Sequence, residues 1–386
     1  MNKKILLISQ VFWPEIMRVN DIAQYLQNQN IEVDVLTGKP NYPFGKIFKG
    51  YSRFKIEYEE YLNIKIHRIP IIPRFNGRSF FLFLNYISFI VLGSLLGPFI
   101  FSRKKYNSIL VFATSPLLQA LIGVLLSKIY KIKLIIWVQD LWPHSLAATG
   151  HIKNKYLLKI VNYFVKFIYK NSHIILVQSN SFISEIQKYN LYKQIIYLPN
   201  PSENFINSKK SEINFNQKKF NLVYAGNIGT VQSIETIVKA ADLLKNNPKI
   251  QFHIFGNGKN FLNIKTLIVN SNIDNIIIYG QIDNIFIKDI LKKSDALIFC
   301  LKKDHLLNKT IPAKLQTYMS IGKPIIAAID GESSNIINDS NCGLTCKSEN
   351  YKLLAKNIIK LSDLNIDELN NYGNNAIKFY AKNFNC

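Results

Sequence analysis

Residues 218–226 read KKFNLVYAG, and residues 3–9 read KKILLIS. Each is a lysine-led apolar run of strand length, closed by a small or polar residue where a turn can form. After the first, helical spacing over 21–29 and alternation over 32–37 place strand, helix and strand within about 40 residues, the opening of a parallel sheet with crossover helices. The rhythm continues with strands at 108–113, 133–139 and 173–178 and helices at 116–130, 153–171 and 180–189. Between Pro199 and Lys219 the pattern gives way to Pro, Asn, Ser and Lys, and at 218 the program restarts. Strands then follow at 220–225, 250–255, 275–279, 295–300 and 323–328, with helices at 233–245, 284–293, 312–320 and 349–362.

The fold class expected is therefore α/β, with two Rossmann-like doubly wound domains facing a cleft. The first domain is expected over 1–200, a linker over 201–219, the second domain over 220–370, and a C-terminal helix over 371–386 returning towards the first domain. A chain of 386 residues suits two domains, each with its own core. In such sheets ligands bind outside the carboxyl ends of the strands, so the turns there are the places to look.

Hydrophobic residues at 48% and charged residues at 19% exclude intrinsic disorder. Subtracting 25 acidic from 48 basic residues leaves +23, a charge that favours anionic partners or reflects a composition rich in Lys, Asn and Ile. The cations are dispersed and no nucleic-acid module is present, so nucleic acid is not an expected partner. Cys300, Cys342, Cys346 and Cys386 are expected as reduced thiols, and no second ligand pair accompanies Cys342 and Cys346, so no metal site is expected. The N-terminus lacks a cleavage site after its short apolar run, which points to the cytoplasm.

Residues 80–101, FFLFLNYISFIVLGSLLGPFIF, carry no charge and match the ~20 residues that cross a bilayer. Strands of one sheet lie on either side, and Arg74, Arg78, Arg103, Lys104 and Lys105 flank the segment. A helix or helical hairpin lying against the sheet or dipping into one leaflet of an anionic membrane is expected, with a buried core helix as the alternative.

Four turns carry candidate chemistry. KTIPAKLQTYM at 309–319 starts a helix at Pro312, with Thr310 or Ile311 at its cap and the first-turn amides around Ala313 open to an anion. Lys314 in that turn opposes the helix dipole unless an anion arrives; a solvated lysine would also explain it. AGNIGTVQS at 225–233 brings Gly226 and Gly229 to a strand-to-helix turn, FGNGK at 255–259 adds Gly256 and Gly258, and YGQI at 279–282 adds Ile282. Together these turns can frame a nucleotide; singly, each is an ordinary tight turn. IIWVQDLWPHS at 135–145 places Asp140 at a strand end, with Trp142 available to stack on a sugar and His144 beside it. A turn aspartate fits Asp140 equally well. Glu15, in FWPEIMR at 12–18, is a second carboxylate on that edge.

Taken together, FWPE, LTGKPNYPFGKIFKGY at 36–51, QDLWPHS, the G-N-I-G-x-x-Q run at 226–232 and TIPAKLQTYMSIGKPIIAAIDGE at 310–332 resemble family 4 glycosyltransferases. The likeness covers nearly the whole chain and is to the bacterial branch that builds O-antigen and capsule and includes N-acetyl-L-fucosamine transferases. It implies the GT-B fold and a retaining, metal-independent transfer, without a cofactor, from a UDP-sugar to a polyprenyl-diphosphate-linked saccharide. It further implies catalytic roles for Asp140, Lys314 and Glu15. Donor contacts would fall at Gly226, Asn227, Gly229, Gln232, Gly256, Gly258, Ile282, Thr310, Ile311, Pro312, Ala313 and Thr317. Trp13, Arg18, Trp142 and His144 would lie on the acceptor side. The chain departs from the family pattern where Lys309 and Thr317 replace a glutamate pair and where Asn227 and Gln232 replace basic residues. A GT-B sugar-nucleotide epimerase or hydrolase, or a binding protein without turnover, are the competing functions.

Overall fold

A computed structural model describes residues 3–75, 77–102, 104–148, 154–189, 193–201 and 208–384. Arg103, residue 153, linker residues 202–207 and residues 385–386, including Cys386, lie outside the described residues. The chain divides into two compact units, Met1–Leu198 and Pro199–Cys386.

The first unit runs β1 (Lys3–Ile8), α1 (Arg18–Asn28), β2 (Ile31–Gly38), β3 (Glu57–Tyr61), β4 (Ile64–Ile69), α2 (Ser79–Ile100), β5 (Ser108–Ala113) and α3 (Ala120–Tyr130). It continues with β6 (Lys133–Val138), α4 (His144–Ala148), α5 (Lys155–Asn171), β7 (Ile174–Val177), α6 (Ser181–Gln187) and β8 (Gln194–Tyr197). The sheet order is β3-β4-β2-β1-β5-β6-β7-β8, parallel throughout except for β3. Leu7, Val33, Val35, Ile66, Leu110 and Trp137 meet in its core, as expected of apolar runs covered on both faces.

The second unit runs β9 (Phe220–Ala225), α7 (Ile234–Leu243), β10 (Ile250–Phe255), α8 (Phe261–Asn270), β11 (Ile276–Gly280), α9 (Asn284–Lys292) and β12 (Ala296–Cys300). There follow α10 (Ala313–Ile321), β13 (Ile325–Ala328), α11 (Glu332–Asp339), β14 (Gly343–Cys346), α12 (Tyr351–Ser362) and α13 (Ile366–Asn383). All six strands are parallel, in the order β11-β10-β9-β12-β13-β14. Asn365 and Glu368 form a reciprocal capping box that starts α13, which packs on α10.

Several elements differ from the sequence expectation. The β3–β4 hairpin was not anticipated, because EYEEY alternates charge with tyrosine on an edge strand and carries no apolar run. Its turn rests on Leu62 and Asn63, both with positive φ. The short strands β8 and β14 and the helices α8 and α11 are likewise additions. Pro312 is the N-cap of α10, with φ −70° and ψ 145°, and Ala313 is the first helical residue; the expected start at Pro312 is corrected by one position. Segment 80–101 is one helix, α2, and not a hairpin. It buries Asn85, Phe89, Ile90, Gly93 and Gly97 while Phe80, Phe83, Val91, Leu95 and Phe99 stay exposed, so it is not a buried core helix. By length and composition α2 is long and apolar enough to cross a membrane.

Titratable groups are also buried in each unit. Asp34 on β2 is fully buried; its Oδ2 accepts from the Tyr106 hydroxyl at 2.6 Å and the Lys104 ammonium at 2.9 Å. Burial pushes its carboxyl up, but these donors and Lys4 outweigh that and hold it below the usual range. Lys104 also meets His67 Nε2 at 2.8 Å, and burial, followed by this lysine, lowers the His67 imidazole to about 4. In the second unit burial, with Lys219, lowers His253 to about 4. Both histidines fold neutral, so between pH 6.5 and 4 the unfolded chain binds more protons. Stability then falls as pH falls through that window, by about 3 kcal/mol per histidine at its lower end, and Asp34 adds a further loss below it. Urea midpoints should drop between pH 7 and pH 4.5; unchanged midpoints would show that neither imidazole is held neutral.

Candidate functional site

In the second unit three glycine turns stack at the carboxyl ends of β9, β10 and β11. The Gly226 amide donates to Phe255 O at 3.0 Å, and the Gly256 amide donates to Gly280 O at 2.7 Å. Gly256 has φ +129°, and a Cβ there would stand 1.8 Å from Gly226 O. A Cβ on Gly258 would fall 2.5 Å from both Ile228 O and Asn227 Oδ1. The turns are therefore one backbone surface, as close approach to a ligand requires. Gln232 folds back within it, its Oε1 accepting from the Gly229 amide at 3.1 Å. Its side chain thus holds the turn. Ile282 lies half-buried in the loop after β11.

Helix α10 brings Lys314 to this surface. The Tyr318 hydroxyl accepts from the Ala225 amide at 3.0 Å, fixing α10 to the end of β9. One turn earlier, the Lys314 ammonium lies 4.9 Å from the centroid of the Tyr224 ring, where a Cβ on Gly226 would come within 2.6 Å of it. The Tyr224 hydroxyl in turn donates to Asn227 O at 2.6 Å. The N-cap Pro312 makes no side-chain capping bond, and the Leu315 amide turns back to Pro312 O. Pro312 has no N–H, so the first-turn donors that α10 can offer an anion are the amides of Ala313 and Lys314. Thr310 Oγ1 donates to Leu306 O, and Ile311 and Thr317 are buried.

In the first unit, Asp140 stands two residues beyond the carboxyl end of β6. Its Oδ2 accepts from Ser115 Oγ at 2.8 Å, and the same Oγ accepts from Trp142 Nε1 at 3.2 Å. Burial pushes the Asp140 carboxyl up, against the hydroxyl and amide of Ser115. Trp142 is only 5% exposed, which corrects the expectation that it stacks on a sugar: its ring is core. Trp13 is also occupied, stacked on Tyr61 at 4.4 Å between centroids. His144 is exposed at the start of α4, and Arg18 is the half-buried first residue of α1.

Glu15 is buried, and its Oε1 accepts from the amides of Asn41 and Tyr42 at 2.8 and 2.6 Å. Burial raises its carboxyl even so. One oxygen thus holds the loop after β2, while Oε2 has no hydrogen-bond partner among the described residues.

Residues outside the sequence expectation complete this edge. Arg74, noted only as a flanking cation, donates from its amide to Asn41 Oδ1 and from Nε to Asn85 Oδ1, and its guanidinium lies 5.2 Å from the Tyr42 ring centroid. Gln10 Nε2 donates to the same Asn85 Oδ1 at 2.6 Å. A polar asparagine inside the otherwise apolar α2 was the available signal, since a buried amide must find partners. Cys342 and Cys346 are buried thiols pushed up to about 11 and about 12 by burial.

Residues 205–379 match the family described as "Glycosyl transferases group 1". The chain is 23% identical over 337 residues to WcaI of Escherichia coli (strain K12), named as a glycosyl transferase of colanic acid biosynthesis, covering 83% of this chain and 81% of that one. It is 23% identical over 279 residues to WbjE of Pseudomonas aeruginosa, named as a glycosyltransferase, covering 69% of each. Among solved structures, sucrose-phosphate synthase from Thermosynechococcus elongatus superposes with TM-score 0.75 at 16% identity, over 99% of this chain and 95% of that one. HepE of Anabaena, solved with UDP, gives 0.69 at 12% identity over 99% and 96%. WaaG, a glycosyltransferase involved in lipopolysaccharide biosynthesis, gives 0.65 at 11% identity over 98% and 95%. The chain thus has the GT-B fold, and its residues 205–379 match the model of the glycosyl transferases group 1 family.

Proposed function

We propose that this chain is a retaining, metal-independent glycosyltransferase that moves a sugar from a UDP-sugar to a polyprenyl-diphosphate-linked saccharide in cell-surface polysaccharide assembly. The observation that carries the donor side is the Lys314 ammonium held against Gly226, where three glycine turns stack backbone on backbone. That set offers close approach to the backbone and one positive charge, the chemistry a departing diphosphate needs. Support comes also from HepE, solved with UDP and with UDP-glucose, and from WcaI, named for colanic acid biosynthesis. In this reading UDP departs with help from Lys314 and the amides of Ala313 and Lys314. The proton of the attacking hydroxyl passes to the departing phosphate or to Asp140, whose raised carboxyl suits a base. The apolar α2 and the excess of cations support the membrane side of this reading, in which the chain works on the cytoplasmic face of an anionic membrane and meets a lipid-linked acceptor there.

A panel of nucleotide sugars tests the donor class. A cognate UDP-sugar at ~100 times its dissociation constant should add about 2.7 kcal/mol to stability, read as a thermal shift that other nucleotide sugars do not give. No shift with any UDP-sugar would contradict the reading. Release of free sugar or an epimer without acceptor, or binding without turnover, would replace transfer with one of the competing functions.

A further inference from the structure

We infer that the outer face of α5, on the same side of the sheet as α2, is a second membrane-docking surface that binds anionic lipid headgroups. The inference rests on the membrane partner proposed above and extends it to a helix that carries its own charge.

The sheet order places these helices. The connections β4–α2–β5, β5–α3–β6 and β6–α5–β7 all step in the same direction across parallel strands, so right-handed crossovers put α2, α3 and α5 on one face. Direct contacts agree: the Tyr130 hydroxyl at the end of α3 donates to Pro98 O in α2, and Lys128 of α3 lies 5.2 Å from the Phe167 ring of α5. Because α5 follows the carboxyl end of β6, its first turns stand at the same sheet edge as Asp140.

The sequence of α5, KYLLKIVNYFVKFIYKN, divides into three stripes. At about 100° per residue, Lys155, Lys159, Lys166 and Lys170 fall within roughly 60° of one another. Beside that row run Tyr156, Leu157, Ile160, Tyr163, Phe164 and Phe167, all exposed, with Tyr156 at 78% and Tyr163 at 68%. Only the third stripe, with Val165, Ile168 and Tyr169, is buried. An apolar row left in water beside a row of lysines is the arrangement of a helix that lies in a membrane interface, its cations reaching the headgroups. Exposed Phe80 and Phe83 of α2 extend the apolar surface at the same sheet edge. A second copy of the chain is the poorer occupant, since a symmetric pairing through this face would set two lysine rows together, whereas anionic lipid complements them.

The test is co-sedimentation of the full chain with vesicles of equimolar phosphatidylglycerol and phosphatidylcholine, and with phosphatidylcholine alone. Two combined variants of exposed residues are compared, Tyr156→Ser with Ile160→Ser and Tyr163→Ser, and Lys155→Gln with Lys159→Gln and Lys166→Gln. The apolar variant should lose binding to both vesicles. The lysine variant should bind the anionic vesicles about 100-fold more weakly, with binding to neutral vesicles unchanged. Circular dichroism confirms that each variant is folded. UDP affinity, measured in the same preparations, should not change; absence of UDP binding in the unaltered chain would sink the transferase reading and leave the vesicle result to judge this one. Co-sedimentation of the apolar variant equal to that of the unaltered chain, or no binding by the unaltered chain, would overturn the inference. So would a dimer that the apolar variant dissociates while vesicle binding persists.

Discussion

Gly256→Ala is expected to abolish nucleotide binding and to destabilise the second unit by about 3 kcal/mol, the upper end of the cost of a side chain in a glycine-only backbone region. The residue has φ +129°, and the added Cβ would stand 1.8 Å from Gly226 O. The neighbouring atom is backbone, so no rotamer change relieves the contact. Either the turn at 226–229 moves or the end of β10 does, and both form the surface proposed to receive the diphosphate. Gly50→Ala is a useful contrast: it also has positive φ, at +92°, but nothing lies within 4 Å of its Cβ position, so it should show backbone strain alone and keep UDP affinity. Urea unfolding and UDP titration of the two variants separate the effects. A Gly256→Ala chain that binds UDP normally would show that the stacked turns are not part of the site.

Lys314→Ala is expected to lower turnover by a factor of about 10² to 10³, the usual cost of removing one group that stabilises charge developing in the transition state. Acceptor affinity should change far less. The side chain is held by the Tyr224 ring and by α10, which Tyr318 ties to β9, so the variant removes a charge without removing the pin. Lys314→Arg keeps the charge but alters its shape and reach, and should recover part of the rate. Turnover of Lys314→Ala equal to that of the unaltered chain would remove this residue from the mechanism.

The repeated program of KKILLIS and KKFNLVYAG could be read directly from the sequence, because parallel strands covered on both faces must be continuous apolar runs. The hairpin of β3 and β4 could not, since EYEEYLNIKIHRI has the polar alternation of an edge strand, and Glu57 and Glu59 are spent on buried Lys39 and Arg68. At the candidate site, the glycine turns were identifiable one at a time. Their contact with one another, and the placement of Lys314 against Gly226, depend on strand order and on the Tyr318 pin, which no local pattern records. In the first unit, Glu15, Arg74, Asn85 and Gln10 form a polar set through Asn41 across three separated segments, and only folding brings them together. Trp142 shows the opposite limit: an aromatic next to a candidate carboxylate looked available for stacking, and its indole is instead bonded to Ser115.

The most direct measurement is a crystal structure of the chain grown with UDP. The diphosphate should lie against the backbone of Gly226–Gly229, with the Lys314 ammonium and the first amides of α10 as its donors. A structure in which UDP binds elsewhere, or in which Lys314 remains over Tyr224 and the turn is bare at saturating UDP, would contradict the assignment of this surface as the donor site.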